Sequence, residues 1–207
     1  ILKLFLHNLA LNPSSYCELW EGAISRLVYL EFVYVSLPIR DPQCFNSYRK
    51  TLLSLPRLKK LYLTSNELIS AGPARFCEFM QSLKAKKITN IVFNLYDMNW
   101  FKGLEMQSVK DLLVANRISH FDLHCAMLLM DYEILGSIAT KFESNKDLKS
   151  FCLSLTLCRK TNIDRIATLM QGLSFTSRSL REVDISLPGL GRYTDISAIF
   201  SKISPLR

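Results

Sequence analysis

Large apolar residues recur along this chain in one spacing, large–x–x–large–x–large, and the pattern returns seven times. It is met at Ile1/Leu4/Leu6, Leu27/Leu30/Phe32, Leu58/Leu61/Leu63, Ile88/Ile91/Phe93, Ile118/Phe121/Leu123, Leu148/Phe151/Leu153 and Leu180/Val183/Ile185. The starts, at residues 1, 27, 58, 88, 118, 148 and 180, lie 26 to 32 residues apart. The last two apolar positions of each triplet flank a residue of the opposite face, the period-two signature of a strand. In the rest of each unit the apolar period lengthens to about 3.6, as in a helix with one buried face. Cys44/Tyr48/Leu52/Leu55, Phe76/Met80/Leu83, Ile134/Ile138/Phe142, Ile163/Ile166/Met170/Leu173 and Ile196/Ile199/Phe200/Ile203 carry that second pattern. A strand–helix unit of about thirty residues cannot bury its apolar face alone, so successive units must stack.

Helix-start signals stand just before the helical stretches. Ser15 with Glu18 has the spacing of a capping box, and Thr161 with Asp164 is a looser version of it. Asp41-Pro42 and Gly72-Pro73 place proline at the start of a helix, where its missing N–H is not needed. No linker, low-complexity tract or long charge run interrupts the units, so residues 1–207 read as one stack. The chain opens on a strand and closes on Ser204-Pro205-Leu206-Arg207, which has the look of another unit beginning. It therefore reads as an excerpt of a longer protein.

The third unit is the most regular. Leu58-Lys59-Lys60-Leu61-Tyr62-Leu63-Thr64-Ser65-Asn66-Glu67-Leu68, followed by Gly72, Phe76 and Met80, resembles the leucine-rich repeat of the ribonuclease-inhibitor type. The resemblance implies an α/β horseshoe with an inner parallel sheet and outer helices. In such repeats an asparagine at the ninth position turns inward to satisfy the loop after the strand, a role that falls here to Asn66 alone. The other units hold Leu9, Val35, Tyr96, Ala126, Thr156 and Pro188 at that place. These loose repeats and their lysine-rich loops resemble the divergent leucine-rich repeats of protist proteins.

Composition narrows the setting. Six cysteines, at 17, 44, 77, 125, 152 and 158, show no paired spacing, and the only N-x-Ser/Thr site, Asn12-Pro13-Ser14, is disqualified by its proline. Both facts favour a reducing, cytoplasmic interior over secretion. No apolar run reaches transmembrane length, so membrane insertion is not expected. The net charge of +8 suits an acidic partner, RNA included. The basic residues are dispersed, however, and the densest groups are Lys84/Lys86/Lys87 and Arg159/Lys160.

Alternation along the strands also predicts a working surface. With the fourth and sixth positions in the core, the third, fifth and seventh face the hollow. The candidate partner-binding residues are then Lys3, Phe5, Tyr29, Glu31, Lys60, Tyr62, Asn90, Val92, His120, Asp122, His124, Glu182 and Asp184. They are polarised, aromatic and basic at the start, acidic at the end. His120-x-Asp122-x-His124 resembles a metal motif, but the two histidines stand about 13 Å apart on an extended strand, too far to share one ion. No metal or other cofactor is expected. Without a Gly-rich phosphate loop, nucleophile elbow or H-E-x-x-H, neither catalysis nor a small-molecule substrate is expected. The predicted function is a non-catalytic protein–protein interaction scaffold that binds its partner through the sheet. The alternatives are a structural subunit of a large assembly, ribonucleoproteins included, or a regulatory segment of an enzyme.

Overall fold

The period-two segments form seven strands in one parallel sheet, each paired with the next in sequence order. A computed structural model describes residues 2–7, 11–36, 41–64, 68, 71–95, 103–126, 147–156 and 179–186. The strands are β1 (Leu2–His7), β2 (Leu30–Ser36), β3 (Lys60–Thr64), β4 (Asn90–Leu95), β5 (His120–Ala126), β6 (Ser150–Thr156) and β7 (Glu182–Ser186). The sheet is open, not closed into a barrel. Four α-helices lie among the described residues: α1 (Pro13–Cys17), α2 (Pro42–Ser54), α3 (Gly72–Leu83) and α4 (Gly103–Ala115). After α1 the chain continues as a π-helical turn, Glu18–Ala23, and a 3₁₀ turn, Ile24–Arg26. None of these helices is long and apolar enough to cross a membrane.

Register shows the repeat directly. Leu4, Val33, Leu61, Ile91, Phe121, Phe151 and Val183 are successive partners across the sheet. Val33, Leu61, Ile91, Phe121 and Phe151 are buried, with Leu4 and Val183 packed against the same core. The core is completed from the helices by Phe45, Tyr48 and Leu52 of α2, Phe76, Phe79, Met80 and Leu83 of α3, and Val109 and Leu112 of α4. The result is a repeat-like α/β arrangement with helices on one face of the sheet.

The second unit corrects one expectation. Leu30, not Leu27, begins it, and Val33 rather than Leu30 stands in the buried row with Leu61. Measured on that row, the units are 28 to 32 residues long, more even than the triplets themselves indicated. Leu27 instead ends the 3₁₀ turn, where its N–H donates to the Ile24 carbonyl.

A repeating hydrogen-bond device sets the spacing. The carbonyl just before each strand, of Lys59, Thr89, Ser119 and Lys149, accepts two backbone N–H groups from the next unit. The distances are 2.7–3.2 Å at all four steps. Side chains after the helices tie back to the preceding unit as well: Lys86 Nζ donates to the Leu55 carbonyl at 3.1 Å, and Asn116 Nδ2 to that of Leu83 at 3.4 Å.

Capping is partly as expected. Asp41 accepts the Gln43 N–H at 2.6 Å ahead of Pro42, and Pro73 sits in the first turn of α3. Asp41→Ala should therefore lower stability by about 1 kcal/mol, read as a drop in the urea midpoint. For α1 the cap is Asn12, whose Oδ1 accepts the Ser15 N–H at 2.8 Å, so Ser15 is capped rather than capping. Asn66, Thr161, Asp164 and the helical patterns at 134–142, 163–173 and 196–203 lie outside the described residues.

Candidate functional site

Because the helices cover one face of the sheet, the odd positions of each strand project from the other. Register places them in straight rows. The first is Lys3, Phe32, Lys60, Asn90, His120, Ser150 and Glu182; the second is Phe5, Tyr34, Tyr62, Val92, Asp122, Cys152 and Asp184. His124 follows in a third row, between Asn94 and Ser154.

Eleven of the thirteen candidates, Lys3, Phe5, Lys60, Tyr62, Asn90, Val92, His120, Asp122, His124, Glu182 and Asp184, share this open face. Tyr29 and Glu31 do not. The shift of the second unit moves both to the edge where strands begin. There Tyr29 carries the Arg57 guanidinium over its ring at 4.7 Å, and the Glu31 carboxylate lies 3.6 Å from Lys59 Nζ. Phe32 and Tyr34 take their places on the open face.

That exchange builds a continuous aromatic ridge. The Phe5 ring lies 5.2 Å from Phe32 and 6.1 Å from Tyr34, and Tyr34 meets Tyr62 edge-on at 4.5 Å. These separations are those of favourable aromatic pairs. Phe5, at its end, is 58 % exposed, and Phe32, Tyr34 and Tyr62 are half-buried.

No known protein family, curated protein or solved structure matches this chain.

At the other end of the face the charges are negative. Asp122 is half-buried, and its carboxyl is held above the usual range. Burial is the main cause; the neighbouring imidazoles of His124 and His120 oppose it, and Glu182 and Asp184 add to it. Cys152, between Asp122 and Asp184 in its row, has its thiol pushed up to about 11 by burial and by the same three carboxylates. A thiol raised this far is protonated at neutral pH. Ser119 Oγ lies 2.8 Å from His120 Nδ1. Among the described residues no group of three or more His, Cys, Asp or Glu side chains is placed to hold a metal ion.

A shallow depression of about 190 Å³ lies between the two ends, bordered by Phe32, Lys60, Asn90, Val92, His120 and Asp122. It is smaller than the roughly 300–1,000 Å³ of small-molecule pockets and has room for a single side chain.

The raised Asp122 carboxyl has a sign that can be tested. The folded state holds the proton to higher pH than the unfolded chain does, so this residue's contribution lowers stability as pH rises through that window. Asp122→Asn should raise stability near neutral pH by up to about 1 kcal/mol, the scale of a partly exposed charge. The gain should vanish once pH falls below the ordinary aspartate range, as urea titrations at both pH values would show.

Proposed function

We propose that this chain is a leucine-rich-repeat solenoid of the ribonuclease-inhibitor type and works as a non-catalytic, cytoplasmic scaffold for a protein partner. The partner lies along the open face of the sheet. The observation that carries this reading is the aromatic ridge on the open face of the sheet, in which Phe5 is exposed and Phe32, Tyr34 and Tyr62 are half-buried beside it. Aromatic side chains supply large contact area at small entropic cost, and they dominate the binding energy of protein interfaces. Repeat proteins generally bind through their extended sheet surfaces. The carboxylates of Asp122, Glu182 and Asp184 at the far end give the surface a direction, so that one docking orientation is favoured over its reverse.

Photo-crosslinking tests the reading. A photoreactive phenylalanine analogue is placed at Tyr62 or Val92 on the open face, and at Arg75 on α3 as a control. Protein adducts from the first two positions and none from Arg75 are expected. Adducts from Arg75 alone, or adducts only with RNA, would refute the reading. With the crosslinked partner purified, the triple variant Phe5→Ala/Tyr34→Ala/Tyr62→Ala should weaken binding at least tenfold, the scale of losing interface anchors.

A further inference from the structure

The cations that look dispersed in the sequence are gathered by the fold. Arg57, Lys59, Lys87, Arg117, Lys149 and Arg181 all lie at the same two places in their units, directly before or one residue beyond the first apolar position. The pairing of successive strands therefore sets them side by side along the edge where β3 to β7 begin. The ladder of shared carbonyls runs through this edge and fixes their spacing. All six are exposed. At about 4.8 Å per strand the row extends for about 19 Å.

Among the described residues few carboxylates offset them. On that edge stand Glu31, 3.6 Å from Lys59, and Asp147, 3.7 Å from Arg117. Both pairs are long, and the cation of each is exposed, the kind of ion pair that contributes little. Glu182, also exposed, follows Arg181 but heads into the row of the open face. Six cations against two loosely paired carboxylates make this edge a strip of positive charge. Two cations of the helical side are held in closer ion pairs: Arg49 of α2 with Glu78 at 3.0 Å, and Lys84, just after α3, with Asp111 at 3.1 Å.

We propose that this strand-entry edge is a second binding surface, separate from the open face, and that it takes the phosphate backbone of single-stranded RNA. A row of cations one strand apart matches a linear polyanion rather than a single anion. Tyr29 stands at the end of the row, 62 % exposed, with Arg57 against its ring. An exposed aromatic beside a track of cations is the combination by which proteins hold single strands, through phosphate contacts and base stacking. Contacts of this kind, to phosphates and to the face of a base, are indifferent to sequence.

The test uses the full chain and a fluorescein-labelled 20-nucleotide oligouridylate, followed by anisotropy from 50 to 200 mM NaCl. With four to six phosphates contacted, the slope of log K against log salt should be about −3 to −4. The rim variant Lys87→Glu/Arg117→Glu/Lys149→Glu should weaken binding at least tenfold and flatten the slope by roughly 2. The control Lys50→Glu/Arg75→Glu/Lys110→Glu changes the net charge equally on the helical side and should retain most of the binding. Equal losses in both variants would mean attraction by net charge alone and overturn the proposal. So would no binding at 50 mM NaCl, or tighter binding to phosphatidylserine vesicles than to the oligouridylate. Circular dichroism confirms that both variants fold. The crosslinks at Tyr62 and Val92 report on the open face independently, so either surface can fail without the other.

Discussion

Phe121→Ala is expected to destabilise the protein by about 3–5 kcal/mol, the usual cost of truncating a fully buried phenylalanine. Phe121 is an interior member of the buried row, between Ile91 and Phe151: its ring stacks on Phe151 at 6.0 Å and meets Phe93 edge-on at 6.1 Å. It has no exposure to solvent. Neighbouring strands are fixed on both sides, so the cavity left by the ring cannot readily collapse. In a stack of units each contacts only its neighbours, so damage at β5 also weakens the coupling of β4 to β6. Since domains are stable by only about 5–15 kcal/mol, this one substitution consumes a large share. Urea titration should show a lowered midpoint, with amide exchange accelerating first in β4, β5 and β6. Phe5→Ala is the matched control, because its ring is 58 % exposed and its loss should cost only about 1 kcal/mol. A Phe121→Ala loss no larger than that of Phe5→Ala would show that the buried row does not hold the units together.

The strands were legible in the sequence because burial alternates along them. Leu61, Ile91, Phe93, Phe121, Leu123, Phe151 and Leu153 are each buried between partly or fully exposed neighbours. The second unit was misplaced for a physical reason. Leu27-Val28-Tyr29-Leu30-Glu31-Phe32-Val33-Tyr34-Val35 satisfies the apolar triplet in two registers three residues apart, and hydrophobicity alone does not choose between them. The choice falls to backbone hydrogen bonding. The 3₁₀ turn ends at Leu27, and the Glu31 carbonyl accepts the Lys59 N–H at 3.0 Å, which makes Glu31 the counterpart of Lys59, Thr89, Ser119 and Lys149. Two candidate residues left the open face with that shift, and Phe32 and Tyr34 joined it.

Other features were hidden by the same separation between local sequence and stacked structure. A scan for charge runs finds Lys84/Lys86/Lys87, yet Lys86 donates to the Leu55 carbonyl and Lys84 pairs with Asp111. The exposed row of cations is visible only when residues about thirty apart are compared. Similarly, Ser15 and Glu18 have the right spacing for a capping box, but Asn12-Pro13 supplies an earlier start with both an acceptor side chain and a fixed φ.

Asn116→Ala is expected to cost about 2–3 kcal/mol, although the residue belongs to no apolar pattern. Asn116 is 5 % exposed and follows α4, where its side chain meets three backbone groups. Its Oδ1 accepts the Ile88 N–H at 3.2 Å, and its Nδ2 lies 3.4 Å from the carbonyls of Leu83 and Leu112. Those three bonds are unequal. The Leu83 carbonyl also accepts from Lys86, and the Leu112 carbonyl from the backbone N–H of Asn116 itself, so both keep a partner after truncation. The Ile88 N–H does not, and a buried donor left unpaired costs roughly 1–3 kcal/mol. Loss of packing between the ends of α3 and α4 adds the rest. The amide of Ile88 should then exchange much faster, a local signature that general destabilisation would not single out. Asn116→Asp separates donor from acceptor: it keeps the oxygen facing Ile88 but turns a second one on two carbonyls. Burial disfavours that carboxylate, so its folded-state pKa should be raised, and relative to wild type Asn116→Asp should be worse at pH 7 than at pH 4. If Asn116→Ala left both the urea midpoint and the Ile88 exchange rate unchanged, the tie between units would have to lie in the shared carbonyls alone.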